Sequence, residues 1–404
     1  MYTLYISVQK RIGALLLVFS SLLALCGCNG SIYANYRELD TLQLVQTIGI
    51  DPGDEKKLRV TISTGAGTEA IPTAKISRES ESIILAMEYL QDYSGKEELY
   101  FSHTRYALLG DEAARRYLPE FLDYIERSPR LRMDITPYVV RGGTAEKAIS
   151  ESGDKRYEVT EAITAMERAS KRNGVCYPYS CREVARSIAE YGGALICAVA
   201  AKKTEDSVFV ESGKLAVVPS GYGIIKDGKL AGYLDINESR GANLLLNQIE
   251  NSSFYFEPAG LSGVTVLTDV SNTEYTAVFD ESNVLRQLKV EISLKAGLVE
   301  NDSLLDLSDP EVEKAMNRAL SEKLCEYSEK AMRHSLELEC DFMGLYGTLL
   351  CKYPSKLAES KESFMPMLKN AEISISADAK IDHSFNMVRP IGEGGKEGGD
   401  EQQG

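Results

Sequence analysis

Residues 288–295 read L-K-V-E-I-S-L-K. Apolar and polar side chains alternate without a break. Successive side chains of a strand point to opposite faces, so this segment is stable only as a strand with one face covered and the other wet. It demands a partner layer, and the chain supplies one downstream. Asp309-Pro310 places a capping residue before a proline at the first helical position. Val312, Met316, Ala319, Leu320, Leu324, Tyr327 and Ala331 then recur at three and four, the spacing of one helix face. Such a stripe suits packing on the chain's own sheet, with a coiled-coil partner as the alternative. Shorter helices around 341–353 and 355–365 lead to residues 371–381, A-E-I-S-I-S-A-D-A-K-I, a last alternating strand.

The same two periods run through the rest of the chain. Residues 41–51 and 58–63 read as strands joined at Asp51-Pro52-Gly53-Asp54, with proline and glycine at the central turn positions. Ile83, Ile84, Met87 and Leu90 mark a helix. Residues 100–109, Y-F-S-H-T-R-Y-A-L-L, read as one strand closed by Gly110-Asp111. Ala114, Tyr117, Leu118, Phe121, Leu122 and Ile125 share a helix face that Pro119 kinks or divides. Residues 131–135 and 138–140 read as extended, with Pro137 favouring an edge or a break. Helices are expected over 159–169 and 182–191, and strands over 194–201, 208–210 and 215–218. Asp227-Gly228 between apolar runs is a two-residue hairpin signal, and Asn237 is placed to cap the next helix.

The fold class that follows is α+β: a three-domain mixed α/β protein with largely antiparallel or mixed sheets, after a cleaved lipoprotein signal peptide. The divisions are a signal peptide (1–27), a lipid-anchored tether (28–35), an N-terminal α/β domain (36–205), a small middle domain (206–260), a C-terminal α/β domain (261–388) and an acidic, glycine-rich tail (389–404). The tail's residues 392–404 lack apolar side chains and are expected to be disordered.

The signal is read from Lys10-Arg11, an apolar run too short to span a bilayer, and Leu25-Cys26-Gly27-Cys28. Leu25 and Gly27 supply the aliphatic and small residues that lipoprotein processing needs before the modified cysteine. Cys28 is therefore expected to be the first mature residue, acylated on sulfur; cleavage before Cys26 would put a bulky leucine beside the broken bond. Acyl chains contribute about 0.8 kcal/mol per buried methylene. No second apolar run approaches 18 residues. The chain carries a net charge of −15, and removing the signal takes away only cations. That charge argues against nucleic acid and anionic surfaces as partners, so the lipid is expected to hold the protein at the membrane.

Catalysis finds no support. The histidines His103, His334 and His383 lie in three different segments, and no metal-spaced Cys/His cluster, nucleophile motif or phosphate loop is present. Gly65-Ala66-Gly67 opens a G-x-G-x-x-A, but Ile71-Pro72 interrupts the helix a dinucleotide site requires. Acidic pairs such as Glu97-Glu98 read as solvated faces. Cys197 lies in an apolar run and reads as core. Cys176 and Cys181 flank a Y-P-Y-S loop and are either paired or free. No catalytic residue, metal or cofactor is expected.

Five segments, in order, carry a resemblance. They are residues 36–51 with 58–62, the L-Y-F-S-H-T-R of 99–105, the E-R-S-P-R-L-R of 126–132, the hairpin and E-S-R-G of 223–241, and D-F-M-G-L-Y-G-T-L-L-C-K-Y-P over 341–354. Together they resemble the C subunits of spore germination (nutrient germinant) receptors, the Ger(x)C lipoproteins. The chain departs from them after Cys28, where Asn29-Gly30 replace the usual Trp-Asp in a chain without tryptophan. The resemblance implies a non-enzymatic, three-domain lipoprotein on the outer face of the inner spore membrane. It also implies assembly with a multi-pass A subunit and a permease-like B subunit. His103, Arg105, Arg130, Arg240 and Gly241 match recurrent family positions and are read as structural or interface residues. A different class, the solute-binding lipoprotein of a transporter, would need two similar doubly wound lobes around a cleft. A secreted hydrolase lacks its nucleophile.

Overall fold

The computed structural model describes residues 42–55, 57–65, 74–95, 98–152, 159–203, 215–259, 263–301 and 309–382. The signal peptide, Cys28, the tether, Ile71-Pro72, the strand expected at 208–210, His383 and the tail lie outside the described residues.

The chain opens with the expected hairpin. β1 (Leu42–Pro52) and β2 (Leu58–Thr64) pair antiparallel with Pro52 opposite Leu58, and β3 (Lys75–Ser80) extends them. α1 (Ile83–Asp92) buries Ile83, Ala86, Met87 and Leu90. The strand expected over 100–109 is two strands. β4 (Glu98–Tyr100) and β5 (Tyr106–Gly110) both run parallel to β1, separated by a 3₁₀ turn over Phe101–His103. Leu44 faces Tyr100 while Thr47 faces Tyr106, so six residue steps on one side match three on the other, and the surplus leaves the ladder as a turn. Pro119 starts a second helix: α2 (Asp111–Arg116) gives way to α3 (Leu118–Arg127).

Residues 131–135 form no strand, because Met133 and Ile135 use their carbonyls to accept from Arg182 and Cys181 at the start of a later helix. β6 (Thr136–Val140) is interior rather than an edge. Thr136 N donates toward β5, to Arg105 O at 2.9 Å, and Arg141 N donates the other way, to Val199 O at 2.8 Å. Alternation then turns Pro137's missing donor toward the following strand, where pairing begins only at Tyr138. An interior proline is tolerated there because no hydrogen bond is lost.

α4 (Ala145–Ser150), α5 (Val159–Asn173) and α6 (Cys181–Tyr191) precede β7 (Gly193–Lys203), β8 (Leu215–Lys226) and β9 (Lys229–Leu234). The resulting nine-stranded sheet has the order β3-β2-β1-β5-β6-β7-β8-β9, with β4 also on β1. Four parallel strands (β1, β5, β6, β7) stand between two antiparallel hairpins. Pairing of β7 with β8 runs from Gly193–Lys226 to Lys203–Leu215, so hydrogen bonding crosses the division expected near residue 205. The β8–β9 turn puts Asp227 (φ 50°) and Gly228 (φ 78°) in the left-handed region, as a two-residue hairpin requires. Asp235 rather than Asn237 caps α7 (Ile236–Leu245). Its carboxylate accepts from Glu238 N at 2.8 Å while Glu238 accepts from Asp235 N.

β10 (Ser253–Phe256), β11 (Val264–Phe279), β12 (Leu285–Asn301) and β13 (Glu372–Asp382) make a second sheet in that order, β13 parallel to β12. Between β12 and β13 come α8 (Pro310–Leu338), α9 (Leu345–Lys352), α10 (Pro354–Leu357) and α11 (Phe364–Asn370). Leu288, Val290, Ile292 and Leu294 are buried with Met316, Leu320 and Leu324 of α8, so the alternating strand and the striped helix cover each other. α8 also closes the free edge of β13: Ser321 Oγ accepts from Ala379 N at 3.0 Å and Asn317 Oδ1 from Ile381 N at 2.9 Å. One apolar cluster runs from Tyr106 and Tyr222 in the large sheet through Leu245 to Ile292 and Leu349.

The segment Asp341–Gly344 lies against the start of β7, where a Cβ on Gly193 would stand 2.9 Å from Phe342 N. Asp341 is 2 % exposed, and its two oxygens accept from Leu345 N and Tyr346 N, each at 2.8 Å. Gly344 takes φ +66° to turn into the helix. Burial pushes the Asp341 carboxyl up to about 6, against the lowering effect of these N–H groups. A folded-state value above the unfolded one favours the protonated form, so the stability this group contributes is greatest below about pH 4 and is lost as pH rises through 6. The stability of the wild type relative to Asp341→Asn should fall by roughly 2–3 kcal/mol between pH 4 and 6, measured by denaturant unfolding at each pH. A difference that stays constant over that interval would show that Asp341 does not titrate there.

Candidate functional site

The five family-like residues occupy two places. His103, Arg105 and Arg130 gather where the parallel strands begin. Arg105 is stitched between strands by its backbone, its N–H donating to Gln46 O at 2.9 Å and its carbonyl accepting from Thr136 N. The guanidinium is exposed and lies 5.3 Å from the Tyr106 ring centroid. Thr104 Oγ1 donates to Val45 O at 3.2 Å, holding the 3₁₀ turn against β1, and the His103 ring packs 5.6 Å from Tyr100. Ser102 Oγ donates to Arg130 O at 3.3 Å, which brings the loop between α3 and β6 to the same spot.

The result is an open depression of about 330 Å³ whose lining includes Leu44, Gln46, His103, Arg105, Arg132 and Glu167. Arg132 was not singled out from the sequence, although the R-L-R pattern holds the signal: burying Leu131 turns the residues on either side of it outward. Arg132 forms an ion pair with Asp134. Glu167 accepts from Tyr106 Oη at 2.9 Å and Tyr138 Oη at 3.2 Å. Burial pushes the Tyr106 phenol up to about 12, and Tyr138 further, so both remain neutral donors. The arrangement presents Arg105 and the exposed Arg132–Asp134 ion pair to solvent and keeps Glu167 in bonds to two tyrosines. It pairs no nucleophile with a base, and among the described residues no group of three His, Cys, Asp or Glu side chains could hold a metal ion.

Arg240 and Gly241 lie elsewhere, on α7 where it crosses α8. A Cβ on Gly241 would stand 2.0 Å from Tyr327 O, so the two helix backbones touch. Arg240 Nε donates to Asn173 O at 3.0 Å, and its guanidinium sits 5.5 Å from the Phe254 ring. Burial lowers its pKa below the ordinary arginine value. Glu238 meets His334 Nε2 at 3.2 Å on the same seam. These are joint residues. Cys176 and Cys181 are both free, the first directed to Gly221 O at 3.0 Å and the second buried at the start of α6.

The two places predict opposite phenotypes. Gly241→Ala should cost about 3 kcal/mol in denaturant unfolding, because neither backbone can retreat from the added methyl group. Arg105→Ala and Arg130→Ala should leave the unfolding midpoint unchanged, since both side chains are exposed.

Residues 35–201 match the family described as "Spore germination protein N-terminal domain", and residues 220–384 match "Spore germination B3/ GerAC like, C-terminal". The chain is 24% identical over 417 residues to Spore germination protein KC of Bacillus subtilis (strain 168), an alignment covering 95% of this chain and 98% of that one. The crystal structure of the GerBC protein shares the fold, with a TM-score of 0.53 at 15% identity over 83% of this chain and 96% of the other. Two domain models in sequence order, a full-length relative and a shared fold place the chain in the Ger(x)C family of germinant-receptor C subunits.

Proposed function

We propose that this protein is the lipid-anchored C subunit of a spore germinant receptor. Acylated Cys28 holds it on the outer face of the inner spore membrane. There it works without catalysis, alongside a multi-pass A subunit and a permease-like B subunit, in nutrient-triggered germination. The observation that carries the reading is the ordered match of both halves, 35–201 and 220–384, to the two germination-family domains. Two further features support it. No helix among the described residues is long and apolar enough to cross a membrane, and the anchor is read from the Leu25-Cys26-Gly27-Cys28 pattern. The site at the start of the parallel strands offers contact surface rather than reactive groups.

The solute-binding alternative fits the architecture poorly. A cleft between matched lobes requires two similar sheets, whereas here a nine-stranded sheet with a parallel centre adjoins a four-stranded one, and a single apolar cluster extends through both.

Cys28→Ala should move the protein from the membrane fraction to the soluble fraction, while Cys26→Ala should not; the reverse pattern would place the acyl group on Cys26. Deleting the gene should abolish germination on a particular nutrient and leave uptake of that nutrient by growing cells intact. Normal germination with a transport defect would favour the solute-binding reading.

A further inference from the structure

The end of the large sheet where the chain arrives from Cys28 differs from the rest of the molecule. In a chain of net charge −15, Arg105 and Arg132 line the depression there with His103, and Ser102 Oγ holds the Arg130 backbone beside it, all four side chains being exposed. Asp134 pairs with Arg132, so that pair is neutral as a unit, and Glu167 stays anionic while accepting from Tyr106 and Tyr138 below the surface, which leaves Arg105 and Arg130 as the cations of this end. Among the described residues, Arg105 and Arg130 enter no ion pair.

Apolar side chains flank this cluster. Leu44, 37 % exposed, lines the depression itself. Leu99 N donates to Gln91 Oε1 at 2.8 Å, which sets the end of α1 beside β4, and β4 pairs with residues 42–44 of β1. From that helix end Tyr89 (43 %) and Tyr93 (67 %) project into solvent, Tyr93 with the Arg78 guanidinium 3.9 Å from its ring centroid. Arginines beside exposed tyrosine and leucine make the composition of a surface that rests in a headgroup layer.

We propose that this end of the protein docks on anionic phospholipid headgroups, so that the acyl chain supplies attachment and the arginine cluster fixes which face meets the membrane. The inference rests on the anchoring at Cys28. The chain from Cys28 to Leu42 can span at most on the order of 45 Å, so an acyl group at Cys28 limits the distance of the body from the membrane and does not by itself set which face meets it. Charge complementarity and the place where the chain enters the fold both select this end. Each arginine near an anionic surface strengthens association about fivefold at low salt, too little to replace the anchor and enough to orient a tethered body.

The test uses residues 28–404 with Cys28→Ser, so that no acyl group contributes, in flotation with vesicles of phosphatidylcholine alone or with phosphatidylglycerol. Wild-type protein should float with the phosphatidylglycerol vesicles at about 20 mM salt and be released at about 0.5 M. Arg105→Glu/Arg130→Glu/Arg132→Glu should lower the bound fraction at least tenfold. Lys289→Glu/Lys295→Glu/Lys314→Glu, exposed cations of β12 and α8 with the same change in net charge, should bind as the wild type does. Equal losses in the two triple variants, or equal binding to both vesicle types, would overturn the proposal. So would unaltered lipid binding by the arginine variant. Failure of germination in the arginine variant without any change in lipid binding would assign the surface to a protein partner instead. The acylated wild type on phosphatidylcholine alone tests the anchor separately, since its attachment needs no anionic lipid.

Discussion

At Gly241 the backbone of α7 lies against the Tyr327 carbonyl of α8, and much of the molecule is arranged around that contact. α7 follows directly from the last strand of the large sheet, and its C-terminal Leu244 and Leu245 enter the cluster that includes Tyr275 and Ile292 of the small sheet. α8 covers the inner face of the small sheet and, through Asn317 and Ser321, closes its parallel edge. Any side chain at 241 would separate the two helices, and with them the layers each helix carries. Arg240 adds a second restraint by tying α7 to the end of α5 through Asn173 O. The α7 start is fixed as well, by Asp235 and Glu238 acting reciprocally. Close backbone approach of this kind tolerates little change, because packed interiors do not deform gradually.

The parallel centre of the large sheet has one closed end and one open end. In open α/β sheets the C-terminal ends of parallel strands are the usual ligand position, with helix N-termini aimed at it. Here that end is filled from within. Asp51, at the close of β1 and 2 % exposed, accepts from Ala145 N at 2.9 Å and Glu146 N at 2.7 Å, occupying the start of α4 with the protein's own carboxylate. Gly110 is glycine because a Cβ would lie 2.0 Å from Asp51 Oδ1. Arg59 bridges Glu79 and Glu146 alongside. What remains open is the opposite end, where the 3₁₀ turn and the loop before β6 bring the arginines together.

Local signals were legible in the sequence, and signals that depend on distant neighbours were not. The alternation of 288–295, Asp309-Pro310 and Asp227-Gly228 each carry their physical cause within a few residues, and each forms as read. The 3₁₀ turn at 101–103 escapes such a reading because it exists to absorb a mismatch against β1, more than fifty residues away. Pro137 misleads for the same reason: whether a missing donor matters depends on where β7 begins to pair. Asn237 reads as a cap on residue type alone, whereas the D-x-x-E spacing of Asp235 and Glu238 carries the reciprocal bonds of the actual one. For the site, His103, Arg105 and Arg130 were named from the family pattern, while their convergence with Arg132 follows only from the turn and loop that bring them together.

Net charge illustrates the same limit. The −15 of the whole chain describes a sum over a molecule several nanometres across, and it argues against an anionic surface only if that surface senses the sum. At physiological ionic strength the screening length is about 8 Å, so a headgroup responds chiefly to the side chains it meets. At the start of the parallel strands those are Arg105 and Arg130, which enter no ion pair among the described residues, and the Arg132–Asp134 pair, which is neutral as a unit.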